Sequence, residues 1–155
     1  MARPQEKPTI KFTVVEPLKP ERIDGYSVLP VPVSHSVPAV GYQITSADGK
    51  AMFYTGDTGP GLAECWQQIS PRLLIIEVTA SNRFDAFGRE SKHLTPNLLK
   101  EELLLFRELK GYLPEVVVVH MSPGLEAEIQ AEIATVAKEL NSPISLGYEG
   151  RQLSL

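Results

Sequence analysis

The period of the sequence changes near residue 60, and this change limits the possible folds more than any other feature. Before it lie short β-type runs punctuated by proline and glycine. "AVGYQIT" and "KAMFYTG" read as two strands joined by "SADG", a hairpin with Asp48-Gly49 at the turn. "IKFTVVE" reads as a strand and "PLKPERIDG" as a connector with a turn-prone Asp-Gly. "YSVLPVPVSH" is extended, because its two internal prolines forbid a helix and favour an edge strand or a bulge.

After the change, apolar runs alternate with helical patterns. "GLAECWQQIS" places Leu62, Trp66 and Ile69 at helical spacing, and "RLLIIEVT" and "EVVVVH" read as buried strands. "ASNRFDAFGRESKH" between them reads as a long polar loop. Thr95-Pro96 is an N-cap followed by proline at the first helical position, opening a helix over "NLLKEELLLFREL". Ser122-Pro123 repeats that signal before a helix with Leu125, Ile129, Ile133, Val136 and Leu140 on one face. "ISLGYEGRQLSL" closes the chain with a weak strand or hairpin. Strands followed by strand–helix alternation predict an α/β or mixed layered domain spanning residues 1–155. Residues 1–8, polar and holding two prolines, read as a flexible terminus.

Composition removes several function classes. The formal net charge is −4 and no basic stripe is visible, which does not suggest nucleic acid held by a broad electrostatic footprint. A deep site could still accept a phosphodiester. The one cysteine, Cys65, permits neither an intrachain disulfide nor a cysteine-based zinc site. Beside Trp66 in a helix, it reads as a buried structural thiol. The start has no apolar segment of signal-peptide type and no run is long enough for a membrane span, so a cytoplasmic protein with no membrane partner is expected.

Polar residues able to bind metal or move protons fall at strand ends: His35, Asp57, Glu77 and His120. The third histidine, His93, ends a loop just before a helix start. Ligand sites in layered α/β folds gather at the carboxyl ends of strands. Each residue alone also has a structural reading: a hydrogen-bonded strand-end histidine, a turn aspartate, a capping glutamate or a surface histidine. Two histidines and an aspartate are a common zinc ligand set and suit iron or manganese as well.

"VSHSVPAVGYQI", "FYTGDTG" and "VVVVHMSP" resemble three successive metal motifs of the metallo-β-lactamase superfamily in its phosphodiesterase branch. "EVTASN" and "ESKHLTP" resemble the glutamate and loop histidine of the tRNA 3′-processing endonucleases. "HLTPNLLKEEL" is also similar to the matching segment of class II cyclic-nucleotide phosphodiesterases. These motifs stand in the family's order over about residues 29 to 123. The resemblance implies that His35 and His120 each bind a metal and that Asp57 bridges the two. His93 would face the scissile phosphate as acid or charge stabiliser, with Glu77 orienting it. The cofactor implied is a divalent metal, zinc first, with manganese or iron as the other options.

The family's His-x-His-x-Asp-His run, which lies in the N-terminal half of its fold, has no counterpart here. The resemblance therefore implies the C-terminal half of a four-layer αββα fold: one mixed sheet with helices on one face. The implied function is metal-dependent phosphodiester hydrolysis, weak or inactive in this chain alone, on a small substrate such as a cyclic nucleotide. Nucleic acid is the less favoured substrate. The implied partner is a missing N-terminal half or a second copy. The alternatives are a non-catalytic half-domain that mediates protein association and an unrelated small α/β binding protein.

Overall fold

The computed structural model describes Ile10 and residues 12–155. The first expected feature, the flexible 1–8 terminus, lies outside the described residues. Seven strands form one sheet whose spatial order follows the chain: β1 (Glu21–Ile23), β2 (Tyr26–Val33), β3 (Ala39–Thr45), β4 (Ala51–Tyr54), β5 (Leu73–Glu77), β6 (Glu115–Val119) and β7 (Ile144–Leu146). The first four pair antiparallel through tight turns. The last four pair parallel, joined by α1 (Ala63–Gln68), α2 (Asp85–Ser91) with α3 (Pro96–Lys110), and α4 (Glu126–Leu140). Parallel neighbours need such crossovers, and crossovers of one hand between strands taken in sequence lay every helix on the same face.

That face holds the core. Phe53, Leu74, Ile76, Val116 and Val118 alternate inward along three strands and meet Trp66 of α1, Leu98 and Phe106 of α3, and Ile129 of α4. Trp66 sits edge-on between Phe53 and Phe106, with ring centroids 6.5 and 5.3 Å away. The opposite face carries Ile44, Met52, Tyr54, Ile75 and Val119, none of them fully buried. Leu153 and Leu155, near the end of the chain, line clefts on this second face. Among the described residues no helix is long and apolar enough to cross a membrane.

Local chemistry explains most boundaries. The Asp48-Gly49 hairpin closes with Ser46 N donating to Lys50 O at 2.9 Å, and Gly49 takes φ +82, a value open to glycine. The prolines of β2 are tolerated because β1 reaches only to Val28, leaving that side of Pro30 and Pro32 without a partner strand. Thr95 caps α3, its hydroxyl oxygen accepting from Leu98 N at 3.3 Å with Pro96 as the first helical residue.

Four expectations are corrected. Residues 12–16 form no strand; Phe12 and Val14 are 89% and 90% exposed, and no strand among the described residues pairs with them. The connector over 17–25 contains β1, which turns into β2 through Asp24-Gly25. The "polar loop" over 80–93 contains a 3₁₀ turn, Asn82–Phe84, and α2. That helix buries only Gly88 and leaves Phe87 exposed, so no apolar stripe announces it. α4 starts at Glu126 with no side-chain cap, since Ser122 and Pro123 belong to a preceding turn closed by Leu125 N to Ser122 O at 3.1 Å.

Two predictions follow from the packing. Thr95→Ala removes the α3 cap and the hydroxyl that bonds Asp85, so unfolding free energy should fall by about 1–2 kcal/mol in urea titrations. Burial, then the Glu102 carboxylate, push the Cys65 thiol from an ordinary 9.0 to about 12. Between those values the unfolded thiol ionises while the folded one stays protonated. Stability should therefore decline above pH 9, and Cys65→Ala should remove part of that decline in thermal melts across pH.

Candidate metal centre

β2, β4, β5 and β6 run in the same direction, so their carboxyl ends share one edge of the sheet. His35 follows β2 by two residues, Asp57 follows β4 by three, Glu77 ends β5 and His120 immediately follows β6. α2 delivers His93 to the same edge. Its C-cap, Lys92, is left-handed at φ +62, and His93 N returns to Gly88 O at 3.0 Å. All five residues singled out from the sequence therefore lie at one end of the sheet.

Their rings form a row. His93 lies 5.2 Å from His35, edge-on, and 6.1 Å from His120, stacked. At the far end His120 Nε2 stands 3.6 Å from Asp57 Oδ1, with about half of each side chain exposed. His35 Nδ1 donates to the Lys92 carbonyl at 3.2 Å. A carbonyl only accepts, so Nδ1 carries the proton and Nε2 is left as the ring nitrogen available to a ligand.

Glu77 is 1% exposed and fully engaged. Its Oε1 accepts from Thr58 N at 3.0 Å and from His93 Nδ1 at 2.6 Å. Its Oε2 accepts from the Thr79 hydroxyl at 2.8 Å and Leu94 N at 3.1 Å. This carboxylate fixes the His93 ring with Nδ1 inward and Nε2 free.

The loop that carries Asp57 is held along its length. Gly59 N donates to Ser34 O at 2.5 Å, and the Thr58 hydroxyl to the same carbonyl at 3.2 Å. A Cβ on Gly59 would lie 2.6 Å from Lys92 Cα, so only glycine lets the Asp57 and His93 loops come this close. His120 takes φ +63, a left-handed conformation that costs a residue with a Cβ about 1 kcal/mol. Strain of this kind tends to collect at functional sites.

The donors are of the right type for a divalent metal: imidazole nitrogens oriented by backbone and carboxylate partners, and one accessible carboxylate. Among the described residues, however, no three or more His, Cys, Asp or Glu side chains stand close enough together to hold an ion. His120 Nε2 and Asp57 Oδ1 stand as one facing pair of donors, and His35 Nε2 is a separate one.

Solved structures identify the architecture. A metallo-β-lactamase fold protein, YhfI from Bacillus subtilis, aligns with a TM-score of 0.70 at 17% identity, over 88% of this chain and 53% of its own. The chain has the metallo-β-lactamase fold. Human tRNase Z, short form, aligns at a TM-score of 0.61 and 18% identity, over 86% of this chain and 45% of its own. An isothiocyanate hydrolase from Delia radicum gut bacteria aligns at 0.69 and 18%, over 94% and 60%. The chain thus spans roughly half the length of these structures. No family model and no curated protein matches the sequence.

Sequence reasoning missed the partners of these residues. The carbonyls of Ser34 and Lys92 carry no sequence signal. Glu102, 5% exposed on α3, did carry one: it lies four residues from both Leu98 and Phe106, on the buried face of the helix.

Two substitutions test the geometry. Gly59→Ala should destabilise the fold by about 1–3 kcal/mol, read from chemical denaturation, because the added methyl meets main chain rather than a flexible side chain. His120→Asn should leave the melting temperature unchanged or higher, since asparagine accepts the left-handed conformation more readily. A clear drop would mean that His120 is packed for stability.

Proposed function

We propose that this chain is the C-terminal half of a metal-dependent phosphodiester hydrolase. The observation that carries the reading is the row His35, His93, His120 with Asp57 at its end, on the edge where the parallel strands terminate. His35 and His120 would each ligate a metal, and Asp57 would bridge the two. A divalent ion there would supply positive charge against a phosphoryl group and acidify a water. Zinc fits the donors first, with manganese and iron next.

His93 would face the substrate. With Nδ1 held by Glu77, its Nε2 is free to meet a phosphate oxygen or the leaving group. Its place just ahead of α3 puts it beside a helix N-terminus, which favours an anion. The likeness to tRNase Z supports a phosphoester substrate. We favour a small one, such as a cyclic nucleotide, because the chain is acidic and has no basic stripe. The likeness to an isothiocyanate hydrolase marks how far one fold can vary its chemistry.

The half reading rests on two facts: the alignment over about half of YhfI and of tRNase Z, and the lack of a His-x-His-x-Asp-His run in the sequence. The missing ligands would come from the other half of the fold, packed on the apolar sheet face. A second reading, a non-catalytic module for protein association, is favoured by that same face, where Tyr54 is 44% exposed and Ile75 is partly open.

Metal content separates the two. After incubation with zinc or manganese and desalting, elemental mass spectrometry should find well under one tightly held ion per chain. Adding a polypeptide that supplies the His-x-His-x-Asp-His half should raise it to between one and two and produce hydrolysis of bis(p-nitrophenyl) phosphate. Asp57→Asn and His120→Ala should lose the metal, and His93→Ala should keep it while losing at least about 100-fold in rate. Unchanged metal content in the Asp57 and His120 variants would reject the ligand assignment. A stable complex with neither metal nor activity would favour the association module.

A further inference from the structure

The loop bearing Asp57 is fastened by two buried carboxylates, and only one of them, Glu77, touches a histidine of the site. The other is Glu102, in the middle of α3 and 5% exposed. Its Oε1 accepts from Gly61 N at 2.6 Å. Its Oε2 accepts from Leu62 N at 3.3 Å and from the indole Nε1 of Trp66 at 3.0 Å. Among the described residues no lysine or arginine pairs with it. A buried carboxylate compensated only by N–H groups is costly to keep unless those donors stay in place. The dependence is mutual. Gly61 and Leu62 are the last residues before α1, and among the described residues their amides have no other acceptor.

We propose that Glu102 is the positioning residue for Asp57: its carboxylate ties the outgoing end of the 55–62 loop to α3, as Glu77 ties its middle at Thr58. The inference deepens the metal-site reading above and rests on it for the role of Asp57. With the incoming end held by Thr55 N to Ile75 O at 3.0 Å and the middle held also by the Ser34 carbonyl, the loop has four anchoring partners. Asp57 lies between the first and the second. Gly56, at φ +61, and Gly61, at φ +96, are the flexible joints that the anchors restrain. Loss of the Glu102 anchor would free the outgoing end at Gly61 and leave only Glu77 and the Ser34 carbonyl to hold the loop beyond Asp57. The bond from Trp66, the one tryptophan in the chain, makes the anchor visible to spectroscopy.

Glu102→Gln keeps the size of the side chain but offers an amide NH₂ where two backbone N–H groups and an indole N–H need acceptors. The comparison is Val136→Ala, a core truncation on α4 remote from the loop, which reports what general destabilisation does by itself. Three quantities would be measured on wild type and both variants. They are hydrogen exchange of peptides covering 54–62, Trp66 emission, and zinc affinity by competition with a chromophoric chelator. We expect Glu102→Gln to shift Trp66 emission, to exchange at least tenfold faster over the loop, and to bind zinc at least tenfold more weakly. Val136→Ala should lower the melting temperature and leave all three near wild type.

A folded Glu102→Gln protein with loop exchange and zinc affinity within twofold of Val136→Ala overturns the proposal. If Glu102→Gln does not fold, Glu102→Asp replaces it, keeping the charge but withdrawing it by one methylene, under the same criteria. If the wild-type chain alone binds no zinc, as its incomplete ligand set allows, the loop exchange decides the role of Glu102 alone: tenfold faster sustains it, an unchanged rate overturns it.

Discussion

The carboxylate of Glu77 is the interaction on which this end of the molecule depends. Four donors from three segments converge on its two oxygens: Thr58 N from the Asp57 loop, the Thr79 hydroxyl, and His93 Nδ1 with Leu94 N from the segment before α3. Burying an acid costs several kcal/mol unless its lone pairs are filled, so all these segments must be in place together. The site is thus cooperative. A loop that moves leaves an acceptor unpaired in a low-dielectric pocket, which resists motion more strongly than any single hydrogen bond would.

The same arrangement explains how irregular backbone can be precise. Loops are ordinarily the mobile part of a fold. Here the loops after four strands lie against one another at backbone distance: Gly59 on Lys92, Gly59 and Thr58 on the Ser34 carbonyl, and Ser122 N on the Thr79 carbonyl at 2.9 Å. The hydrogen bonds among them use main-chain carbonyls that a strand or helix would otherwise satisfy. The parallel sheet beneath fixes where the loops start, and the loops then fix one another.

The molecule's two sheet faces have different consequences. The helix-covered face supplies a dense core built around Trp66, Phe53 and Phe106. The other face, with Tyr54 and Ile75 open, supplies the surface on which a second layer could sit. In the reading proposed above, folding of the half and completion of the site are separate events. The first is driven by burial on one face, the second by burial on the other together with ligands that this chain lacks.

Much of this was legible in the residues. The runs Leu73–Glu77 and Glu115–Val119 announce strands because they are short and almost wholly apolar, and their helix-facing residues are buried. Thr95-Pro96 fixes the start of α3 because capping is chemistry between near neighbours. Local signals also placed His35, Asp57, Glu77, His93 and His120 at element ends. Where the deciding contact was not local, the sequence was silent or misled. It could not show α2, whose one buried residue is a glycine, or that Ser122 would serve a turn instead of a cap. It offered 12–16 as a strand, yet a strand exists only where an edge receives it. The sequence by itself determined which segments are strands and helices over most of the chain and which side chains carry chemistry. Tertiary structure alone decided that Glu77 joins Thr58 to His93, that Glu102 holds Gly61, and that the histidines stand in a row, because those distances depend on how three crossovers bring separate strand ends to one edge.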